Sequence, residues 1–181
     1  MKKIAMVLII GLCVGLVGVF AEHPGGTGVG VLFRSGYNFG DGGSGLDVGL
    51  SLKLASVPVY WGLFLNIRDS MFGVGGTGDY YVIDRSLIQD ANFNLGWHLG
   101  LGGYATALFR KDDPHLAAGG RIPVGLSLQF AKNFEAFLNV AYNLGLQVLP
   151  KINFPAHFFN GELGVRLWIY SRSGLRFCPW L

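Results

Sequence analysis

His98 is the residue of this sequence whose type most directly suggests acid–base chemistry. A catalytic histidine needs a nucleophile to activate, or a carboxylate that orients it. No Ser/His/Asp spacing of that kind surrounds His98, so the sequence favours a packing role for it. We therefore expect no enzymatic activity and no cofactor.

Two further motifs resemble ligand sites in composition. The stretch Lys-Asp-Asp-Pro-His, residues 111–115, offers oxygen and nitrogen donors to a metal, but adjacent aspartates beside a proline are more typical of a solvated loop tip. The stretches GGTGVG (25–30) and GDGGSG (40–45) lack the Lys-Ser/Thr and the helix that follow a phosphate-binding loop. We predict turns at both, and no metal site.

The first residues have the layout of an export signal. Lys2 and Lys3 precede an uncharged apolar run over residues 4–20, and Val19-Phe20-Ala21 suits a cleavage site. We predict a signal peptide over residues 1–21 that is cleaved after Ala21; an uncleaved inner-membrane anchor is the alternative. Cleavage would lower the 14 basic residues to 12, against 11 acidic ones. That balance provides no basic surface for nucleic acid.

Cysteine usage limits the covalent chemistry of the exported chain. Of the two cysteines, Cys13 would leave with the signal and Cys178 would remain. A single cysteine cannot form an internal disulfide, so the fold does not depend on one.

Alternation of apolar with polar or small residues recurs along the rest of the chain. It predicts eight strands of about ten residues, the length of a tilted membrane-crossing strand, at 27–37, 46–54, 59–68, 78–85, 92–104, 121–130, 134–143 and 159–170. The links at 55–58 and 131–133 are short, whereas those at 38–45, 69–77, 106–120 and 144–157 are long. Short turns on one side and longer loops on the other are typical of an outer-membrane barrel.

The stretch RIPVGLSLQF, residues 121–130, shows the alternation most clearly and raises the question of which face meets solvent. One face carries Leu126 and its apolar neighbours, and the other carries Gly125 and Ser127. Over all strands the charges and most glycines share the second face. The charged residues on it are Arg34, Asp47, Lys53, Arg68, Arg121, Glu135, Glu162 and Arg166. Small inward residues suit the narrow interior of an eight-stranded barrel. We therefore predict that Leu126 faces lipid and Ser127 faces the lumen.

Aromatic residues near the strand ends support the same orientation. They would form two girdles at the membrane interfaces, and comprise Tyr37, Tyr80, Tyr81, Phe93, Phe130, Phe134, Tyr142, Phe159 and Tyr170. A soluble, lipocalin-like barrel with an apolar cavity is the structural alternative. Pro123 lacks an N–H and a closed barrel has no edge strand, so we predict a bulge there.

The charges on the lumen face predict interior ion pairs. The order and direction of the strands place Arg34 beside Glu162 or Asp47, and Arg166 beside Glu135. Charges without water must be paired, so these residues would fill the lumen together with Arg68, Arg121, Phe64 and Phe137. The alternative is that water fills the gaps and solvates each charge.

The layout resembles the small eight-stranded outer-membrane barrels of the OmpA transmembrane-domain type. RIPVGLSLQF and the following FEAFLNVAYNLGLQVLP are similar to an uncharacterised family of spirochaete outer-membrane proteins, over about residues 27–170. The resemblance implies an all-β, antiparallel, up-and-down transmembrane β-barrel over residues 22–170. It also implies recognition by the barrel-assembly machinery, for which Gly164, Leu167, Ile169 and Tyr170 resemble the signal. A short tail, residues 171–181, follows that signal where such barrels usually end.

Two classes of function remain open after these predictions. The first is an outer-membrane protein with a structural or surface-interaction role, whose loops would meet an extracellular or host ligand. The second is a narrow pore, or a transporter of small hydrophobic molecules. The predicted lumen pairs and the resemblance to the OmpA type favour the first.

Overall fold

The computed structural model describes residues 23–38, 44–68, 71–110, 114–149 and 151–169. Eight strands form one closed barrel in which each strand is antiparallel to its neighbours, and β8 closes on β1 through the pairs Thr27–Ile169 to Asn38–Phe158. The strands are β1 (Thr27–Asn38), β2 (Ser44–Lys53), β3 (Tyr60–Arg68), β4 (Met71–Gln89), β5 (Phe93–Arg110), β6 (His115–Phe130), β7 (Phe134–Leu149) and β8 (Asn153–Ile169). The prediction of an all-β, eight-stranded antiparallel barrel is confirmed.

Some of the predicted elements lie outside the described residues. These are the signal peptide with its cleavage site, the GDGGSG stretch up to residue 43, Tyr170, and the tail with Cys178. Within the described residues, no helix has the length and apolar character needed to cross a bilayer.

The strands are longer at one end than the sequence predicts. Residues 71–77, 106–110, 115–120, 144–149 and 153–157, which we assigned to long loops, are strand. The GGTGVG stretch, predicted as a turn, belongs to β1 from Thr27 onward. Two of these extensions, 71–77 and 115–120, are rich in glycine and alanine, whose side chains are too small to show an alternation of apolar and polar residues. Together the five extensions make the wall formed by β4–β8 taller than the wall formed by β1–β3.

In the structure the apolar face of each strand points outward and the polar face points into the barrel, as predicted. On β6, Leu126 is 44% exposed on the outer surface, whereas Ser127 is 2% exposed inside the barrel. The same alternation of exposed and buried positions extends along β7 and β8. Phe130 and Phe134 stack at one end of the outer surface, with ring centroids 6.0 Å apart.

Inward glycines provide room for the larger side chains of the lumen. A Cβ on Gly164 would lie 2.5 Å from Cζ of Phe137, and one on Gly125 would lie 2.5 Å from Nε2 of His98. Neither position accepts a side chain without displacing its neighbour, because packed interiors leave few voids.

The prediction of a bulge at Pro123 is wrong, although the missing N–H of this proline does affect the sheet. The register between β5 and β6 is the same on both sides of Pro123, at Leu99–Val124 and at Gly102–Arg121, and the two intervening rungs are not formed. Gly100 lies beside the ring, where its Cβ would be 3.0 Å from Cγ of Pro123. The proline is thus accommodated by an interrupted ladder and a glycine on the neighbouring strand.

Strand β4 departs from the sequence prediction in one aromatic assignment and in two bulges. The pairing of β4 with β5 shifts between Tyr81 and Ile83, and again between Ser86 and Ile88. A shift by one residue exchanges the two faces of a strand. Tyr81 lies before the first bulge and packs inside the barrel against Tyr60 and His98, because adjacent residues of a strand point to opposite faces and Tyr80 is exposed outside. Tyr81 therefore does not belong to the outer girdle. After the first bulge, Asp84 points to the interior.

Candidate functional site

The lumen is the part of the molecule where polar side chains converge. We name its two ends by the connections there. At the turn end are the connections 54–59, 90–92 and 131–133, and at the loop end are the connections that follow β1, β3, β5 and β7. The buried polar residues are His23, Asp47, Ser51, Lys53, Thr77, Asp79, His98, Arg121, Ser127, Glu135, Asn139, Asn143, Asn160, Glu162 and Arg166.

Arg166 and Glu135 form an ion pair near the turn end, on the neighbouring strands β8 and β7. Arg166 Nη1 donates to Oε2 of Glu135 over 2.8 Å, and Nη2 donates to the Ser51 hydroxyl across the lumen, also over 2.8 Å. Trp168 Nε1 donates to the same Glu135 oxygen over 2.7 Å. The guanidinium also lies 4.5 Å from the ring centroid of Phe137. The carboxylate is therefore desolvated but supplied with charge-assisted hydrogen bonds.

His23 enters this cluster from the segment that precedes β1. Its Nδ1 lies 2.7 Å from Oδ1 of Asp84, and its Nε2 lies 3.1 Å from Oε1 of Glu135. The backbone N–H of His23 also donates to Asp84 over 3.1 Å. Burial by itself would lower the pKa of His23, but the hydrogen bonds and negative charges of Asp84 and Glu135 outweigh it and raise the pKa to about 9.

Three aromatic rings, those of Tyr60, Tyr81 and His98, surround His23 at this junction. Tyr81 stacks between Tyr60 and His98, with centroid distances of 4.1 and 4.0 Å, and His23 lies 5.4 Å from both tyrosines and 5.5 Å from His98. His98 is fully buried, and its Nε2 is 2.8 Å from Oδ1 of Asn139. These contacts place His98 in the packing of the lumen.

Arg121 is the centre of a second cluster, toward the loop end. Its Nη1 donates to Oε1 of Glu162 over 2.9 Å, and its Nε lies 3.1 Å from Oδ1 of Asp79 without the alignment of a hydrogen bond. Asn160 also donates to Glu162, over 2.9 Å. The sequence placed Glu162 beside Arg34 on a neighbouring strand and missed this pair, because Arg121 reaches it across the lumen from β6 past β7.

Arg34 contacts Asp47, the second of the two partners considered for it. Arg34 Nη2 and Asp47 Oδ2 are 2.6 Å apart, and Asn66 donates to the other Asp47 oxygen. The guanidinium lies 3.9 Å from the ring centroid of Phe64, a cation–π contact. The side chain of Arg68 lies outside the described residues.

Little space remains between the two clusters. A cavity of about 10 Å³ separates them, lined in part by Ser51, Thr77 and Asn139, and it has room for roughly one water molecule. The described residues contain no group of three or more His, Cys, Asp or Glu arranged to hold a metal. Of the stretch 111–115, only Pro114 and His115 are described, and His115 Nδ1 lies 3.4 Å from Nε2 of Gln147.

Comparison with solved structures finds matches of low sequence identity and low TM-score. Neisserial surface protein A is 11% identical with a TM-score of 0.44, and covers 79% of this chain and 96% of its own. Ail, the attachment invasion locus protein of Yersinia pestis, is 13% identical with a TM-score of 0.42, and the match covers 80% of this chain and 97% of Ail. A major outer membrane protein from Thermus thermophilus is 9% identical with a TM-score of 0.36, and the match covers 79% of this chain and 99% of that protein.

Comparison with protein-family models and with curated proteins finds no match. The fold assignment rests on the strand pairing, which closes the barrel independently of any likeness.

Proposed function

We propose that this chain is an integral outer-membrane barrel with a lumen filled by side chains, and that it serves a structural or surface-interaction role through its loop end. It is not an enzyme in this proposal. Its partners are outer-membrane lipid, the barrel-assembly machinery and an extracellular or host ligand. The observation that carries the proposal is the opposite polarity of the two faces: apolar outward and charged inward.

The outward face supports a membrane location. Large apolar side chains are exposed on every strand, and Leu46, Leu101, Val140 and Leu163 are each more than half exposed. Contiguous apolar surface on a soluble monomer rarely exceeds a few hundred Å². The lipocalin-like alternative would require an apolar cavity inside, where this chain has its buried charges.

The orientation in the membrane follows from the connections. Bacterial outer-membrane barrels have short turns on the periplasmic side and longer connections on the outside. The turn end of this barrel would therefore face the periplasm, and the taller wall of β4–β8 would project outward. Export requires the predicted signal peptide over residues 1–21, with removal after Ala21.

The filled lumen favours an interaction role over transport. Two buried cationic side chains, Arg121 and Arg166, block the interior at different heights, and each contacts a carboxylate. Opening a path would separate buried charge pairs, which costs about 3–5 kcal/mol when one partner is lost. The resemblance to the OmpA type favours the same role.

Conductance across planar lipid bilayers tests the proposal. We expect the refolded protein to conduct in rare flickers at most. The double variant Arg121→Ala, Glu162→Ala removes the loop-end pair together and should conduct more often, whereas the double variant Leu126→Ala, Leu128→Ala changes only the outer face and should not. A large, steady conductance of the unaltered protein would contradict the filled lumen and establish the pore.

A further inference from the structure

We propose that Asp84, Glu135 and the rings of Tyr60, Tyr81 and His98 form a binding site for an imidazolium-type cation in the turn end of the lumen. His23, on the segment of the same chain that precedes β1, occupies this site. An imidazolium ion from solution would occupy it when the His23 side chain is absent.

The contacts of the His23 ring define the ligand class. Nδ1 faces Asp84 and Nε2 faces Glu135, each within hydrogen-bond distance of a carboxylate oxygen. An ionised carboxylate only accepts hydrogen bonds, and a neutral imidazole has only one N–H to donate. Two simultaneous bonds therefore require a ring with both nitrogens protonated, which is a planar cation with two N–H groups on opposite sides.

The charges around the ring require a cation as well. Two carboxylates, those of Asp84 and Glu135, meet here, and Arg166 contacts Glu135 through its other oxygen, Oε2. Lys53 also lies at this end of the lumen, with its Nζ 5.6 Å from the centroid of the Tyr60 ring, and it donates to the carbonyl of Leu54. Oε1 of Glu135 and the carboxylate of Asp84 face His23. The pKa of about 9 for His23 agrees with a protonated ring at neutral pH.

The shape of the site matches a flat ring. The His23 side chain is 3% exposed, and it lies edge-on or tilted toward the three neighbouring rings at centroid distances of 5.4 to 5.5 Å. Aromatic faces within about 6 Å attract a cation. Truncation of His23 would leave a ring-sized space that is closed by aromatic walls and bounded by two carboxylates.

Chemical rescue of His23→Ala tests the site. The midpoint of urea unfolding of the refolded mature barrel should fall in this variant, and imidazole at pH 6 should raise it again. Because a ligand that binds only the folded state stabilises it by mass action, the midpoint should rise with the logarithm of imidazole concentration once the site fills. Pyrazole has the same shape but stays uncharged at this pH, and it should have little effect.

Two matched variants make the test specific. His157→Ala removes an exposed histidine at the loop end, and imidazole should not change its unfolding midpoint. Addition of Asp84→Asn to His23→Ala removes one carboxylate, and it should abolish the response to imidazole. If His23→Ala does not refold alone, the folded fraction recovered after refolding with imidazole or with pyrazole gives the same comparison.

Selective rescue by imidazole that depends on Asp84 would support the cation site. Equal rescue by imidazole and pyrazole would overturn it, because any ring would then fill the space regardless of charge. The proposal is also overturned if neither compound raises the midpoint or the recovered folded fraction.

Discussion

On β6 the two faces of the barrel wall can be compared residue by residue. Ile122, Val124 and Leu126 point outward and are 46%, 47% and 44% exposed, whereas Arg121 and Ser127 point inward and are 2% exposed. The outer face has free volume but no polar partners, and the lumen has polar partners but little free volume. We therefore expect the outer face to tolerate a larger side chain but not a charge. We expect the lumen to tolerate charges only in pairs and not to accommodate larger side chains.

The largest effect should come from removing one charge of a lumen pair. Glu135→Gln keeps the shape of the side chain but leaves Arg166 buried without its carboxylate, and His23 keeps only Asp84. We expect the free energy of unfolding to fall by about 3–5 kcal/mol, as for other buried pairs that lose one partner, measured by urea unfolding in lipid vesicles. Lys151→Gln, at an exposed position, should change it by less than about 0.5 kcal/mol. If both substitutions lowered the free energy of unfolding by the same small amount, the distinction between a paired lumen charge and an exposed charge would be wrong.

A charge on the outer face should have the next largest effect. Leu126→Arg would expose a guanidinium to the proposed lipid, which costs about 2–4 kcal/mol near the bilayer midplane. Leu126→Phe adds volume without charge and should cost less than about 0.5 kcal/mol. The same unfolding assay measures both, and an arginine no more costly than the phenylalanine would show that this face does not meet lipid.

Added volume should have a smaller effect that depends on the face. Gly164→Ala places a methyl group against Phe137 in the lumen, and overpacking of this kind costs about 1–3 kcal/mol. Gly161→Ala on the same strand meets no atom closer than 4.0 Å, and it should be neutral or stabilising by up to about 1 kcal/mol. Indistinguishable unfolding free energies for the two variants would mean that the lumen is not tightly packed.

The alternation predicted the fold because each strand carries its two faces in its own sequence. Val29, Leu50 and Leu65 needed no knowledge of the partner strands to be assigned outward. The strand extensions at the loop end could not be predicted in this way. At Gly119, Ala118 and Ala105, both faces are formed by small side chains, so the pattern from which strands are recognised disappears.

The lumen site was partly predictable for the same reason. Arg34 and Asp47, or Glu135 and Arg166, are neighbours in the sheet, so strand order alone places them together. Arg121 and Glu162 meet across the lumen, and no register specifies which inward side chains reach one another there.

His23 was missed because it precedes the first strand, where no alternation applies. Its partner Asp84 was missed because a bulge after Tyr81 exchanges the faces of β4. A bulge adds one residue without leaving a clear signal in composition. The residues of the proposed cation site therefore become visible only in the folded barrel.

Spin labelling at consecutive positions of β6 tests the central claim, that the apolar face meets lipid and the polar face fills the lumen. Nitroxides would be attached at 126, 127 and 128, one at a time, in a background with Cys178→Ser, and the barrel would be refolded into lipid vesicles. Oxygen concentrates in the bilayer, so collisions with oxygen report exposure to lipid. We expect high oxygen accessibility at 126 and 128 and low accessibility at 127. High accessibility at 127 with low accessibility at 126 and 128 would contradict the assignment of the two faces.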